Sequence, residues 1–299
     1  AVPSITVGMS GELPPPRRFR LVALPLVLLA AACGGPREAV DVKRAASLIA
    51  QGWEEYRVGE FQRAEWRFED AVEAAPEKSV ERSKALYGLA TSLRLRGTDP
   101  KPAKAAELYR KVVAADPQGD LAAWSLLALA RMEHVVPVGQ EPDYPKVRAA
   151  YQEVIGRFPF HLAGEEAFIY QQATFVATLK PEDAAAALKA LRGFIAGHAR
   201  SRFVSPAWAL EAECFFTLKR PAERLAAEVK ALETTELDPT NPIMDHANAY
   251  WKIASVAEFE AGDFGVARRY YKKLVDEYPT DIRRYGAQQA ILRMSRAGG

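Results

Sequence analysis

The stretch GWEEYRVGEFQRAEWRFEDAVEAAP, from Gly52 to Pro76, decides the fold. Small residues stand at Gly52, Ala64 and Ala71, and aromatic ones at Tyr56 and Phe68. Their spacing of three, four and seven is helical, so the stretch reads as two helices rather than strands. Between them, Gly59-Glu-Phe61 supplies a turn, and glycine adopts turn conformations that other residues resist. Pro76 stops the second helix, because proline lacks an amide and disfavours helix in the residue before it. The segment 45–78 therefore predicts a tight helical hairpin in which Gly52, Ala64 and Ala71 let the two backbones approach.

The same pattern returns along the chain at a period of about 34 residues. The last unit has Trp251, the turn Gly262-Asp-Phe264, then Ala267, Tyr271, Leu274 and Pro279. A second unit carries Gly88, Ala105, Tyr109, Val112 and Pro117. A third carries Trp124, Leu127, Ala128, Asp143-Tyr144, Tyr151, Val154 and Pro159. A fourth is looser, with Ala187, Leu191 and Phe194, and Ala199 where proline is expected. The fifth, with Trp208, Ala212, Ala227, Ala231 and Pro239, is the weakest. One hairpin cannot bury its apolar face, so neighbours must stack to complete a core. A final helix near 281–296, rich in Arg and Gln, would shield the open end. Two insertions interrupt the period, Thr98–Pro102 and the longer Val135–Pro142.

These residues resemble the tetratricopeptide repeat family, whose signature is a Trp, Leu, Gly, Tyr, Ala, Phe, Ala, Pro series. The resemblance covers most of 45–279. It implies an all-α, right-handed superhelical solenoid of about six helix pairs, with the first helix of each pair lining a concave groove. By the family's pattern the groove positions are Ile49, Trp53, Tyr56 and Arg57 in the first unit, and Lys252, Val256, Phe259 and Glu260 in the last. Trp53 is the foremost candidate, since an aromatic anchor in a groove is a typical hot spot. Trp124, Trp208 and Trp251 fall at or near the structural tryptophan place and are expected in the core. Arg57, Arg82 and Lys252 are candidates to pair with acidic groups of a peptide.

A second signal lies upstream. Arg17, Arg18 and Arg20 precede Leu21-Val-Ala-Leu-Pro-Leu-Val-Leu-Leu29, and Ala30-Ala31-Ala32-Cys33-Gly34-Gly35 follows. The apolar run is far shorter than the roughly 20 residues of a membrane-spanning helix. Basic, apolar and small-residue segments in that order form a secretion signal. The segment resembles bacterial lipoprotein signals, which implies that Cys33 carries acyl chains and becomes the first mature residue. Ala30 departs from the leucine usual in that pattern. The division expected is a signal peptide over 1–32 (with 1–8 upstream of a start at Met9), a lipidated cysteine and tether over 33–43, and the solenoid with its capping helix over 44–299. By the resemblance, Gly34 favours the outer membrane, with the domain facing the periplasm.

Composition narrows the function. The chain has 40 basic and 38 acidic residues; residues 1–32 hold three arginines and one glutamate, so the remainder has equal numbers of each sign. No net field steers it toward nucleic acid. Of two cysteines one is Cys33, so Cys214 has no intrachain partner and reads as a small buried hydrophobe. The histidines 134, 161, 198 and 246 are scattered, which disfavours a zinc site. No phosphate loop or nucleophile elbow is present. No catalytic residue, metal or cofactor is expected.

The expected role is a lipid-anchored scaffold that binds envelope proteins in its groove. The chain resembles the tetratricopeptide lipoproteins of the outer-membrane β-barrel assembly machinery, whose Tyr-Pro-x-Ser-x-Tyr turn is echoed by His198–Phe203. Pilotins that help secretin rings assemble share that architecture. The alternative is a lipid-anchored receptor for glycans or other small molecules, against which the shortness of the insertions argues.

Overall fold

The computed structural model describes residues 36–95, 99–237 and 245–297. Cys33 and the whole segment 1–32 lie outside the described residues, as does Pro239. Every regular element described is helical. Twelve helices form six consecutive pairs: α1 (Pro36–Arg57) with α2 (Phe61–Ala74), α3 (Val80–Leu95) with α4 (Pro102–Ala115), α5 (Asp120–His134) with α6 (Tyr144–Arg157), α7 (Leu162–Val176) with α8 (Pro181–Gly197), α9 (Val204–Thr217) with α10 (Pro221–Glu233), and α11 (Ala247–Val256) with α12 (Phe264–Glu277). A final helix, α13 (Arg284–Ala297), closes the stack. The last turn of α11 widens into a π-helical stretch, Ala257–Ala261. The molecule is thus a helical solenoid of tetratricopeptide-type pairs.

Each helix packs on the next in chain order, and the first helices α1, α3, α5, α7 and α9 also touch one another in sequence. The sixth pair is joined mainly through α10, which packs on α11 and its π turn. The core runs as four apolar clusters along the stack. Each cluster is centred on a buried aromatic or leucine of a second helix, among them Phe68, Tyr151, Leu191 and Tyr271, all at most 1% exposed. All four belong to the repeat pattern read from the sequence. Cys214 is fully buried among them, and burial pushes its thiol up to about 12.

Four of the corners that follow second helices share one design. Ala75, Asp116, Phe158 and Tyr278 each cap a second helix, and each precedes a proline. The amide three residues past the cap or its proline returns to a carbonyl of the corner, as in His161 to Phe158 (3.1 Å) and Asp281 to Tyr278 (3.1 Å). A polar side chain there then accepts an amide of the next helix's approach. His161 Nδ1 accepts from Ala163, Ser201 Oγ from Phe203, and Asp281 Oδ1 from Arg283. The caps of the fourth and fifth pairs, His198 and Thr234, are not followed by proline, and His198 stacks on Phe194 at 4.5 Å.

One expectation fails at the N-terminus. The segment 36–43 was read as part of a tether, but α1 begins at Pro36 and runs unbroken. Its sequence explains this: proline is favoured in the first turn, and Arg37 to Gln51 contains neither glycine nor proline. The Val135–Pro142 insertion forms the connection between α5 and α6, as its place in the period implied.

Candidate binding groove

The inner faces of α1, α3 and α5 enclose a concavity of about 170 Å³. Its lining comes from three successive first helices: Ile49 and Trp53, then Lys84 and Tyr87, then Asp120, Leu121 and Trp124. Residues three or four apart share a helix face, so each helix contributes one stripe. Gly52 turns its bare Cα toward Phe68, and that close approach leaves the neighbouring Trp53 at the seam between α1 and α3.

The floor is an aromatic lattice. Trp53 meets Phe68 edge-on at 5.1 Å and Tyr56 at 5.4 Å, and lies 6.2 Å from Tyr87. Tyr87 in turn meets Tyr109 at 5.7 Å, and desolvation raises the pKa of both phenols. Edge-to-face contacts hold each ring in one orientation, so the floor is rigid before any partner arrives. The rim is polar. Lys84 approaches Glu81 at 3.9 Å with its side chain 49% exposed. Asp120 accepts from His161 Nε2 at 2.7 Å, and His161 also meets the Trp124 ring at 5.4 Å. Because His161 Nδ1 accepts the Ala163 amide, Nε2 is the ring nitrogen that donates to Asp120.

The predicted residues divide. Ile49 and Trp53 line the concavity, and Tyr56 lies beside it, half-buried between Trp53 and Phe61. Ile49 is only 8% exposed, so it serves as floor rather than as a presented side chain. Arg57 points to solvent beside Glu54 at 2.6 Å. Lys252, Val256 and Phe259 belong to the sixth pair and are no part of this concavity. Val256 is 3% exposed and packs in the last core cluster, which corrects its assignment to a groove surface. Lys252 is engaged by two carboxylates of neighbouring helices, 2.7 Å from Glu228 and 3.0 Å from Glu213, with its side chain still partly exposed. Phe259 is 70% exposed on the π turn, with the Arg293 guanidinium over its ring. Glu260 pairs with Arg224 at 2.5 Å. Arg82 is likewise not a groove residue: it donates to the Val72 and Ala75 carbonyls and so caps α2.

Sequence reading placed Trp124 in the core; it is half-buried, packs against two core clusters and also forms a wall of the groove. Lys84, Tyr87, Asp120 and Leu121 were not picked out. A shift of one repeat would have found two of them, since Trp53, Tyr87 and Leu121 are spaced 34 residues apart. Among the described residues, no group of three or more His, Cys, Asp or Glu side chains could hold a metal ion, and no helix is long and apolar enough to cross a membrane.

Known proteins bear out the architecture. Residues 49–120 and 248–281 each match a tetratricopeptide repeat model, so the first two pairs and the sixth carry the recognisable signature. No curated protein matches the sequence. Among solved structures, PilF of Pseudomonas aeruginosa is similar with a TM-score of 0.54 at 14% identity, over 84% of this chain and 99% of that one. PilW, a widely conserved type IV pilus biogenesis factor, has a TM-score of 0.54 at 17% identity, over 83% and 98%. A chain of the Cut9–Hcn1 hetero-tetramer reaches 0.52 at 16% identity, over 86% of this chain and 45% of that one. The chain is a tetratricopeptide-type solenoid, and at these identities the likeness speaks for the fold.

Proposed function

We propose that the protein is a lipid-anchored, non-catalytic scaffold that holds a partner protein's extended segment in the α1–α3–α5 groove. The observation that carries this reading is the groove itself. It combines a pre-set aromatic floor with a polar rim, which is the anatomy of a protein-recognition site. Its volume of about 170 Å³ lies below the roughly 300–1,000 Å³ of small-molecule pockets. At this groove that favours insertion of a side chain over capture of a glycan or nutrient.

The setting we propose is the periplasmic face of the outer membrane. The anchor is acylated Cys33, supported by the arginine, apolar and small-residue order of 17–33. The work we propose is support of an envelope assembly, of the β-barrel or of the secretin and pilus kind. The fold shared with PilW, a type IV pilus biogenesis factor, supports the pilus branch. The β-barrel branch rests on the His198–Phe203 turn, where Ser201 donates to Glu165 at 2.6 Å and fixes the corner between the fourth and fifth pairs.

A photocrosslinking residue placed at Lys84, with a control at the outward-facing Lys111, tests the groove. Position 84 should yield a discrete adduct with an envelope protein and position 111 should not. Equal labelling from both, or none from 84, would sink the groove reading. Cys33→Ala should release the protein into the soluble periplasmic fraction; retention in the membrane would remove the anchor.

A further inference from the structure

A second concavity, of about 530 Å³, lies on α8 and the turn between α9 and α10, remote from the α1–α3–α5 groove. It is lined by Ala185, Leu188, Lys189 and Arg192 of α8 and by Leu218 and Arg220 of the turn. Two of its three cations are held in place. Arg192 and Arg220 stand 5.6 and 5.0 Å from the Phe215 ring, which is 2% exposed. Arg192 Nε donates to Glu211 at 3.1 Å, and Arg220 binds Glu223 at 2.6 Å. Each guanidinium is thus fixed by a ring face and a carboxylate, while 57% and 48% of its side chain faces solvent. Lys189 is exposed and makes no ion pair among the described residues. Lys219, between Leu218 and Arg220, sits at φ 56, a left-handed conformation unfavourable for a lysine. The turn that presents Leu218 and Arg220 is therefore set by its surroundings and not by local preference.

We infer that this concavity is a docking site for an acidic segment of a protein partner, with one carboxylate among Lys189, Arg192 and Arg220 and an aliphatic side chain against Leu188 and Leu218. Fixed guanidiniums suit a carboxylate because their fork geometry matches its two oxygens and little ordering remains to be done. The charge balance selects the occupant. Three cations facing two carboxylates, Glu211 and Glu223, leave one net positive charge. That matches a single carboxylate and not a phosphate dianion or a charged membrane plane. The apolar wall of Ala185, Leu188 and Leu218 fits the stem of an acidic or neighbouring aliphatic side chain, which a headgroup lacks.

The test uses the full chain and a fluorescent peptide of alternating Glu and Leu, read by anisotropy, beside a Lys-Leu peptide of equal length. Lys189→Glu is the chosen variant, because Lys189 is exposed and its change leaves no buried charge unpaired. The Glu-Leu peptide should bind the parent chain, and Lys189→Glu should weaken it about five- to tenfold with an unchanged thermal melt. Trp53→Ala should leave this binding intact, which separates the site from the groove reading. Equal binding of the Lys-Leu peptide, indifference to Lys189→Glu, or loss with Trp53→Ala would overturn the proposal. So would phosphatidylglycerol vesicles binding in a Lys189-dependent way more tightly than the peptide, since the site would then belong to lipid.

Discussion

A Cβ on Gly88 would lie 2.3 Å from the ring of Phe68, which is fully buried. Gly52 faces the same ring from the other side, where a Cβ would come within 2.8 Å. Phe68 of α2 is thus clasped between α1 and α3, and the two glycines set how closely the first and second pairs stack. Gly88→Ala should destabilise by about 1–3 kcal/mol, because a sealed ring cannot step aside and overpacking forces the helices apart. Gly52→Ala should cost less, since its clash is milder and alanine returns up to about 1 kcal/mol of helix propensity. Urea midpoints of the two variants test the order; a Gly88→Ala protein as stable as the parent would show that the stack gives freely.

The hairpin turns carry a second expectation. Gly59 and Gly262 turn the first and sixth pairs at φ 85 and 68. The fourth and fifth pairs reach the same conformation with Leu179 (φ 55) and Lys219 (φ 56). An L-residue with a side chain pays about 1–2 kcal/mol in that region. Leu179 is 52% exposed, so glycine there sacrifices little burial. Leu179→Gly should therefore raise the unfolding midpoint, by up to about 1 kcal/mol once the added freedom of the unfolded chain is counted. A lower midpoint would mean that the leucine side chain contributes more than its backbone strain costs.

These particulars show how far the sequence could be read. The pairs were legible because packing demands small residues at Gly52, Ala64 and Ala71 and a large one at Phe68, and that demand repeats with the stack. The left-handed turns at Leu179 and Lys219 were not, since nothing in a leucine or lysine announces a conformation imposed by its neighbours. In the groove, one residue of phase is 100° of helix. Val256 was placed on the surface by family pattern, but the sixth pair is joined to the stack through α10, and Val256 packs in the last core cluster. Arg82 was a candidate to pair with an acidic peptide group because the carbonyls that it caps, Val72 and Ala75, come near only once the corner at Pro76 has folded.

Glu166 makes stability depend on pH. Its carboxyl is raised above the ordinary 4.5 by desolvation, against which Arg131, 3.4 Å away, and Arg202 pull. Between 4.5 and the raised value the folded chain holds a proton that the unfolded chain has released. Folding stability from this group is therefore present below 4.5 and is lost as pH climbs through that window. Glu166→Gln should flatten the decline of the melting temperature on the alkaline side of 4.5, since glutamine has no proton to lose. An unchanged slope would show that solvent reaches Glu166 despite its burial.

Lys252 binds three helices at once: it stands on α11, 3.0 Å from Glu213 of α9 and 2.7 Å from Glu228 of α10. Burial works against its ammonium, but the two carboxylates outweigh that and hold its pKa above the ordinary 10.5. Glu228 is 6% exposed, so its charge depends on that ammonium. Lys252→Met should cost about 1–3 kcal/mol, the penalty of a buried charge left without its partner, with the 42% exposure of Lys252 keeping it from rising further. The double variant Lys252→Met with Glu228→Gln separates causes. If the cost comes from the stranded carboxylate, removing that charge should restore most of the lost stability, because replacing both members of a buried pair is often nearly neutral. If the double variant is as weak as the single, the lysine stem was packing the junction of α9, α10 and α11, and the ion pair was incidental.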